Sequence, residues 1–220
     1  MEIAFAQRES IPALAALWAE CFGDPEDYAE RVLSLCMDRK NSGVLAAFSE
    51  NRPVAMACLV EVKLTAAPQV PGAYIYAVCT RPDFRSRGLC KAILSRAKAL
   101  YEFLCLVPAR SELASFYRSL GFTHPLRVPV AFAGQDAPLK KADPLSLTVA
   151  PAFEAICREV LAELTEKAES KAPSDGIPDS REAYEISSPS GRMAVLLDEN
   201  GLCTPHPALP AHPIAGLLPL

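Results

Sequence analysis

Arg81-Pro-Asp-Phe-Arg-Ser-Arg-Gly-Leu-Cys-Lys91, RPDFRSRGLCK, joins the apolar run YIYAVCT at 74–80 to a segment of helical periodicity. Leu89, Ile93, Ala97 and Leu100 share one face there while Lys91, Arg96 and Lys98 turn elsewhere, so the turn opens an amphipathic helix straight after a buried strand. A helix N-terminus presents unpaired amides and partial positive charge. Gly88 lets a ligand approach that backbone, and Arg85 and Arg87 add charge-assisted donors. The stretch reads as a cradle for the oxygens of a diphosphate. A surface turn with solvated arginines is the other reading, and the neighbouring sequence has to separate them.

Upstream, residues 2–7 alternate as a first strand. Ser10 is placed to cap the helix IPALAALWAECF, with Pro12 in its first turn, and Gly23-Asp24-Pro25 ends it before a second helix, EDYAERVLSLCMDRK. GVLAAFS and PVAMACLVEVKL, separated by Glu50-Asn51-Arg52, read as a hairpin, followed by the strand AYIYAVCT. Downstream of the turn and its helix come a short buried strand, FLCLVP, and a short helix, SELASFYRSL, stopped by Gly121. The expected order through residue 122 is β-α-α-β-β-β-α-β-α.

Beyond residue 123 proline and polar residues interrupt the pattern. LRVPVAFAG reads as a kinked strand, PAFEAICREVLAELTEKAES as a helix and KAPSDGIPDSRE as a linker. RMAVLLDENGLCT reads as a hairpin turning at Asn200-Gly201, and the proline-rich tail as extended chain packed on the body.

The 220 residues suffice to bury about 70% of the unfolded surface. Half are hydrophobic, and 22 basic against 26 acidic side chains leave a net charge of -4, which supplies no global attraction for nucleic acid or an anionic membrane. Any anion site must be local. Eight cysteines lie scattered in apolar patterns with no C-x-x-C pair and no histidine cluster, so they read as reduced thiols rather than a disulfide framework or metal site. The start MEIAFAQRES carries no signal region and no apolar run reaches about 18 residues, which together suggest a cytoplasmic protein.

Arg85, Gly88 and Cys90, placed between a strand and a helix and followed about 30 residues later by FYRSLGF, resemble the R/Q-x-x-G-x-G/A signature of the GNAT superfamily of acyl-CoA-dependent N-acyltransferases. Cys90 stands where the family usually carries Gly or Ala. The resemblance covers residues 1–123 in element order and rests on YIYAVCTRPDFRSRGLCKAIL, LVPA and SFYRSLGF; the first of these is also similar to the Eis-like branch. It implies an α/β (α+β) fold with a mixed, centrally split sheet flanked by helices. Residues 1–123 would be the acyltransferase core, and 124–220 an extension that completes the sheet or covers the acceptor site.

The same resemblance implies acetyl-CoA as co-substrate and no metal. The backbone of Val78 and Thr80, flanking Cys79, would hold the pantetheine arm, and the amides of Arg85, Ser86, Arg87, Gly88, Leu89 and Cys90 the pyrophosphate. Tyr117 falls where many relatives carry the acid that protonates the leaving thiolate, its other reading being an aromatic packed beside Phe116 and Phe122. The N–H of Val78 would polarise the thioester carbonyl. The strand-four carboxylate of some relatives falls on Tyr74, and a tyrosine is a poor base at neutral pH. Glu61 is one replacement, the chain terminus at Leu220 another, and water-mediated deprotonation of the amine needs neither.

Cys79 and Cys90 raise a covalent acyl-cysteine route, although none of His124, His206 and His212 is near either in sequence. Trp18, Phe22 and Tyr28 would border the acceptor groove or simply be core. The leading expectation is transfer of an acetyl group to a primary amine by direct attack. Two alternatives are a non-catalytic acyl-CoA-binding or regulatory module, and an interaction protein whose extension blocks the groove or forms a homodimer surface.

Overall fold

In the computed structural model, residues 2–134, 138–141, 145–171 and 183–218 are described. The chain packs as two compact units, residues 1–61 with 71–106, and residues 62–70 with 107–220.

The first unit contains β1 (Glu2–Phe5), α1 (Ile11–Phe22), α2 (Glu26–Met37), β2 (Gly43–Ser49), most of β3 (Arg52–Leu64), β4 (Gly72–Thr80), α3 (Leu89–Lys98) and β5 (Phe103–Leu106). With α4 (Leu113–Ser119) these follow the expected order through residue 122. The strands run in the spatial order β1-β2-β3-β4-β5. β1 and β3 are antiparallel to β2, whereas β4 and β5 are parallel. The sheet is therefore mixed.

β2 and β3 meet across a two-residue turn in which Glu50 and Asn51 have φ of 50° and 60°. That left-handed pair matches the twist of the flanking strands, which makes Glu50-Asn51 an efficient hairpin turn. Val44–Ala47 and Val54–Val60 are buried without alternation, as expected of strands covered on both faces. α1 packs on α2 and β4, α2 packs on β2, and α3 packs on β1, β2, β4 and β5. Trp18, Leu33, Leu45, Met56, Leu59, Tyr74, Ile93 and Phe103 fill the interior.

Ser10 does not cap α1. Arg8–Ser10 form a 3-10 turn that runs directly into the helix, and Ser10 has helical φ and ψ of -84° and -8° with no side-chain cap bond. A capping serine needs an extended backbone to aim its hydroxyl at the first-turn amides.

The second unit contains the end of β3, α4, β6 (His124–Phe132), β7 (Leu139–Lys141), β8 (Leu147–Val149), α5 (Pro151–Lys171), β9 (Ala183–Ser188) and β10 (Gly191–Cys203). β10 is antiparallel to β6 and to β9, β9 is parallel to β7, and β8 is antiparallel to Val62–Leu64. Cys157 and Leu161 of α5 pack with Ile186, Met193, Val195, Leu197, Ile214 and Leu217. The tail is extended and packed as expected, Ile214 bridging to Arg127 and Ala215 to Leu147.

The hairpin expected at Asn200-Gly201 is not there. β10 runs straight through both residues and the actual turn lies between β9 and β10, before Gly191. Gly201 serves close approach rather than reversal: a Cβ on it would sit 2.8 Å from the carbonyl oxygen of Leu126, beside the register shift between Asp198 and Gly201. Of the expected linker 171–182, Lys171 instead ends α5, and residues 172–182, like the terminus at Leu220, lie outside the described residues.

Candidate active site

β4 and β5 pair only from Gly72–Tyr74 to Phe103–Cys105, after which β4 continues to Thr80 without β5. Gly72 permits this start, since a Cβ there would lie 2.0 Å from the Phe103 ring. The sheet of the first unit thus opens beyond Tyr74. Within the opened stretch Ala77 has φ of 49°, a left-handed conformation that costs a non-glycine residue about 1–3 kcal/mol. It turns the strand immediately before Val78 and gives Val78 and Thr80 a backbone course that a regular strand would not have. No sequence pattern distinguishes Ala77 from the other alanines of the strands.

The chain leaves β4 through Arg81, whose N–H donates to Val54 O at 2.9 Å, and makes a 3-10 turn over Pro82–Phe84. Arg81 Nε donates to Asp83 Oδ1 at 2.8 Å, Arg85 Nε to Thr80 O at 3.2 Å, and an Arg87 guanidinium nitrogen to Asp83 O at 2.8 Å. The guanidiniums of Arg81 and Arg87 also lie over the Phe84 ring, 5.2 and 4.7 Å from its centroid. The arginines therefore hold the shape of the turn as well as charging it. Asp83 stays below the usual carboxylate range because Arg81 donates to it.

Ser86 and Gly88 both have positive φ, 60° and 77°, which alternates the backbone into a concave run of amides. Gly88 is the N-cap of α3, no side chain caps the helix, and a Cβ on Gly88 would meet nothing within 4 Å. The space over these amides is open, and Arg85, Ser86, Arg87 and Gly88 are exposed while Leu89 and Cys90 are half-buried. An uncapped helix N-terminus, concave backbone and two exposed guanidiniums fit a diphosphate. The thiol of Cys90 is pushed up to about 11 by burial, and that of Cys79 is raised by its hydrogen bond with Cys21 and by burial. Both are protonated at neutral pH, which disfavours either as an acyl-accepting nucleophile.

An aromatic cluster lies next to the open part of β4. The Trp18 ring is edge-on to Tyr76, Tyr28 and Phe22 at centroid distances of 5.5, 6.1 and 5.8 Å, and Tyr74 stacks along Tyr76 at 6.3 Å. Tyr28 and Tyr76 hydroxyls are 3.2 Å apart. Burial, together with Tyr28, pushes the Tyr76 hydroxyl far above its ordinary value, so it offers no base at neutral pH. Trp18 is core and Phe22 is exposed, which divides the three aromatics assigned to the groove.

Glu61 accepts from Asn41 Nδ2 at 2.9 Å, and its own N–H donates to Ser42 Oγ at 2.9 Å. The bond from Arg81 N to Val54 O sets the start of β3 beside the end of β4, so Glu61 lies toward the Gly72–Tyr74 end and not beside Val78. Tyr117 belongs to the second unit. It is buried on α4, edge-on to Phe116 at 5.3 Å and to Phe122 at 6.0 Å. Among the described residues no group of three or more His, Cys, Asp or Glu side chains is placed to hold a metal ion. None of the described helices is long and apolar enough to cross a membrane.

The family model described as an acetyltransferase (GNAT) domain matches residues 2–124. The chain belongs to the GNAT acetyltransferase family. No curated protein matches its sequence. Among solved structures, this GNAT chain is similar to the ribosomal-protein-S18-alanine N-acetyltransferase of Escherichia coli, at 16% identity over 61% of this chain and 85% of that one, with a TM-score of 0.48. It is also similar to the aminoglycoside antibiotic 6'-N-acetyltransferase of Acinetobacter haemolyticus, at 17% identity over 66% and 99%, with a TM-score of 0.46. A candidate acetyltransferase of Pyrococcus horikoshii matches at 16% identity over 65% of this chain, with a TM-score of 0.47, and this chain spans 50% of its length.

Proposed function

We propose that this GNAT protein is an acetyl-CoA-dependent N-acetyltransferase that acylates a primary amine by direct attack. The observation that carries the reading is the pair of backbone irregularities on one continuous segment: left-handed Ala77 before Val78, and left-handed Ser86 and Gly88 at the mouth of α3. One re-aims strand amides at the opened part of the sheet, and the other gathers amides for a diphosphate.

Acetyl-CoA supplies an activated thioester. The amides of Arg85–Cys90 and the Arg85 and Arg87 guanidiniums hold its pyrophosphate. The backbone around Val78, Cys79 and Thr80 holds its pantetheine arm, and the Val78 N–H polarises the carbonyl oxygen. Tyr117 protonates the departing thiolate. Because Glu61 is engaged by Asn41 and lies away from Val78, water takes the proton of the attacking amine. Residues 1–123 are the acyltransferase core and residues 124–220 a C-terminal extension, and the segment 74–94 is similar to the Eis-like branch. Eight cysteines that form no disulfide suit a reducing cytoplasm.

Isothermal titration of the full chain with acetyl-CoA, free CoA and ATP tests the binding half. Saturable micromolar binding that prefers acetyl-CoA supports it, and equal binding of ATP or none at all overturns it. A panel of primary amines with thiol release as readout then tests turnover. Binding without release to any amine would favour the non-catalytic acyl-CoA-binding reading, which has in its support that no carboxylate lies along Ala73–Thr80.

A further inference from the structure

Trp18 of α1 is edge-on to Tyr76, and Tyr74 stacks along Tyr76, so both tyrosines stand on the face of β4 that α1 covers. Ala73, Tyr74 and Ile75 are buried in succession, as in a strand covered on both faces, so α3 packs on the opposite face. The amide cradle lies at the head of α3. A coenzyme held there reaches the opened part of β4 from the α3 side, which leaves the α1 side to the amine. On that side stands Tyr76, separated from Val78 only by the left-handed Ala77.

The wall that meets the amine is aromatic, hydroxylated and fixed. Tyr28 of α2 and Tyr76 of β4 bring their hydroxyls to 3.2 Å from one another, and both residues are half-buried. Trp18 stands behind them at 5.5 Å from Tyr76 and 6.1 Å from Tyr28, its indole N–H tied to Asp24 at 2.6 Å. Phe22, 5.8 Å from Trp18 and 44% exposed, carries the apolar surface outward. Resting on the acyl-transfer reading, we propose that Tyr28 and Tyr76 are specificity-determining residues for the acceptor, and that the acceptor is a cationic primary amine on a short aromatic stem.

A phenol oxygen accepts more than one hydrogen bond, so the paired hydroxyls also take the N–H groups of an ammonium. An aromatic face attracts the same cation. Around them Glu20, Asp24, Glu26, Asp27 and Glu30 stand against Arg31, all exposed or half-buried, so five carboxylates and one guanidinium leave residues 20–31 at -4, the net charge of the whole chain. That field draws a cation to the α1–α2 junction. The exposed Phe22 ring then receives the stem by ring-on-ring packing. A polyamine would answer the charge and leave Phe22 uncovered, whereas an amino sugar would set its hydroxyls against an apolar ring. In the transfer the ammonium sheds a proton to water, the N–C bond forms as the C–S bond breaks, and the thiolate takes up a proton while nitrogen loses its second.

Trp18 is the only tryptophan of the chain, so its emission reports on this wall. Titration with phenethylamine, of the free chain and of the chain with saturating CoA, should change that emission saturably in at least one of the two. No saturable change in either overturns the proposal. Thiol release from acetyl-CoA is then compared for phenethylamine, spermidine and kanamycin. Phenethylamine should lead by about tenfold or more in kcat/KM, and Tyr28→Phe and Tyr76→Phe, which keep the rings, should each raise its KM about threefold or more with kcat within about twofold. Spermidine or kanamycin in the lead, or a KM that neither variant moves, overturns the proposal. The two readings fail separately. If phenethylamine saturates the Trp18 signal while acetyl-CoA neither binds nor is cleaved, the acyl-transfer reading falls and the amine wall stands; thiol release to other amines without a Trp18 response does the reverse.

Discussion

Trp18 donates its indole N–H to Asp24 Oδ2 at 2.6 Å, across the break between α1 and α2. The bond ties the largest buried side chain of the first unit to the loop that Gly23 and Pro25 create, and it fixes the ring against Tyr76. It is a hydrogen bond from a neutral donor to a carboxylate, the stronger class.

Asp24→Ala leaves the indole N–H without its acceptor and should destabilise the protein by about 1–3 kcal/mol. Asp24→Asn keeps an acceptor and should retain most of the stability. Urea unfolding of the three proteins checks this, and equal midpoints would show that water replaces the carboxylate at no cost.

Gly72→Ala places a methyl group against the Phe103 ring where the two cannot coexist. The expected cost is about 1–3 kcal/mol of overpacking. Phe103→Leu in the same chain should relieve part of it, so a double-mutant cycle should show a coupling of about 1 kcal/mol or more. Additive effects would mean that the start of β4 moves away from β5 instead.

Asp and Asn both tolerate the left-handed φ of Gly88 and differ in charge, which separates backbone strain from electrostatics at the head of α3. Gly88→Asp and Gly88→Asn should both fold, with melting temperatures within a few degrees of each other. Calorimetry should find CoA binding lost in Gly88→Asp and weakened to a lesser degree in Gly88→Asn. Unchanged affinity in Gly88→Asp would place the phosphates elsewhere.

Tyr117→Phe removes one hydroxyl from a ring packed on Phe116 and Phe122. If Tyr117 is the proton donor, kcat should fall about 10- to 100-fold, toward the lower end for a single general acid, with CoA affinity kept. An unchanged rate reduces Tyr117 to packing.

The element order through residue 122 was legible because it rests on local signals. Apolar period changes from 3.6 to 2, Gly23 and Gly121 stop helices in left-handed conformations, and Glu50-Asn51 suits a two-residue turn. The head of α3 was legible for the same reason, since a glycine between a strand and an amphipathic run fixes where the helix can begin. Asn200-Gly201 misled because the same dipeptide serves a turn or a close approach, and Leu126 across the β6–β10 ladder decided for the second. Strand β9 went unread because AYEISS is short and half polar, and it is defined by β10 beside it.

By itself, then, the sequence determined what neighbours along the chain can settle: the elements of the first 122 residues and the glycine-headed passage from strand to helix in RPDFRSRGLCK. Three-dimensional structure decided what depends on residues far apart in the chain. The left-handed turn of Ala77 is tolerated only because buried strands over-determine it, the Arg81 N–H finds the Val54 carbonyl, and Trp18 meets Tyr76 because α1 packs on β4. No local pattern announces these, since strain and long-range contacts are carried by packing, whereas helices, turns and glycine positions are carried by backbone preference.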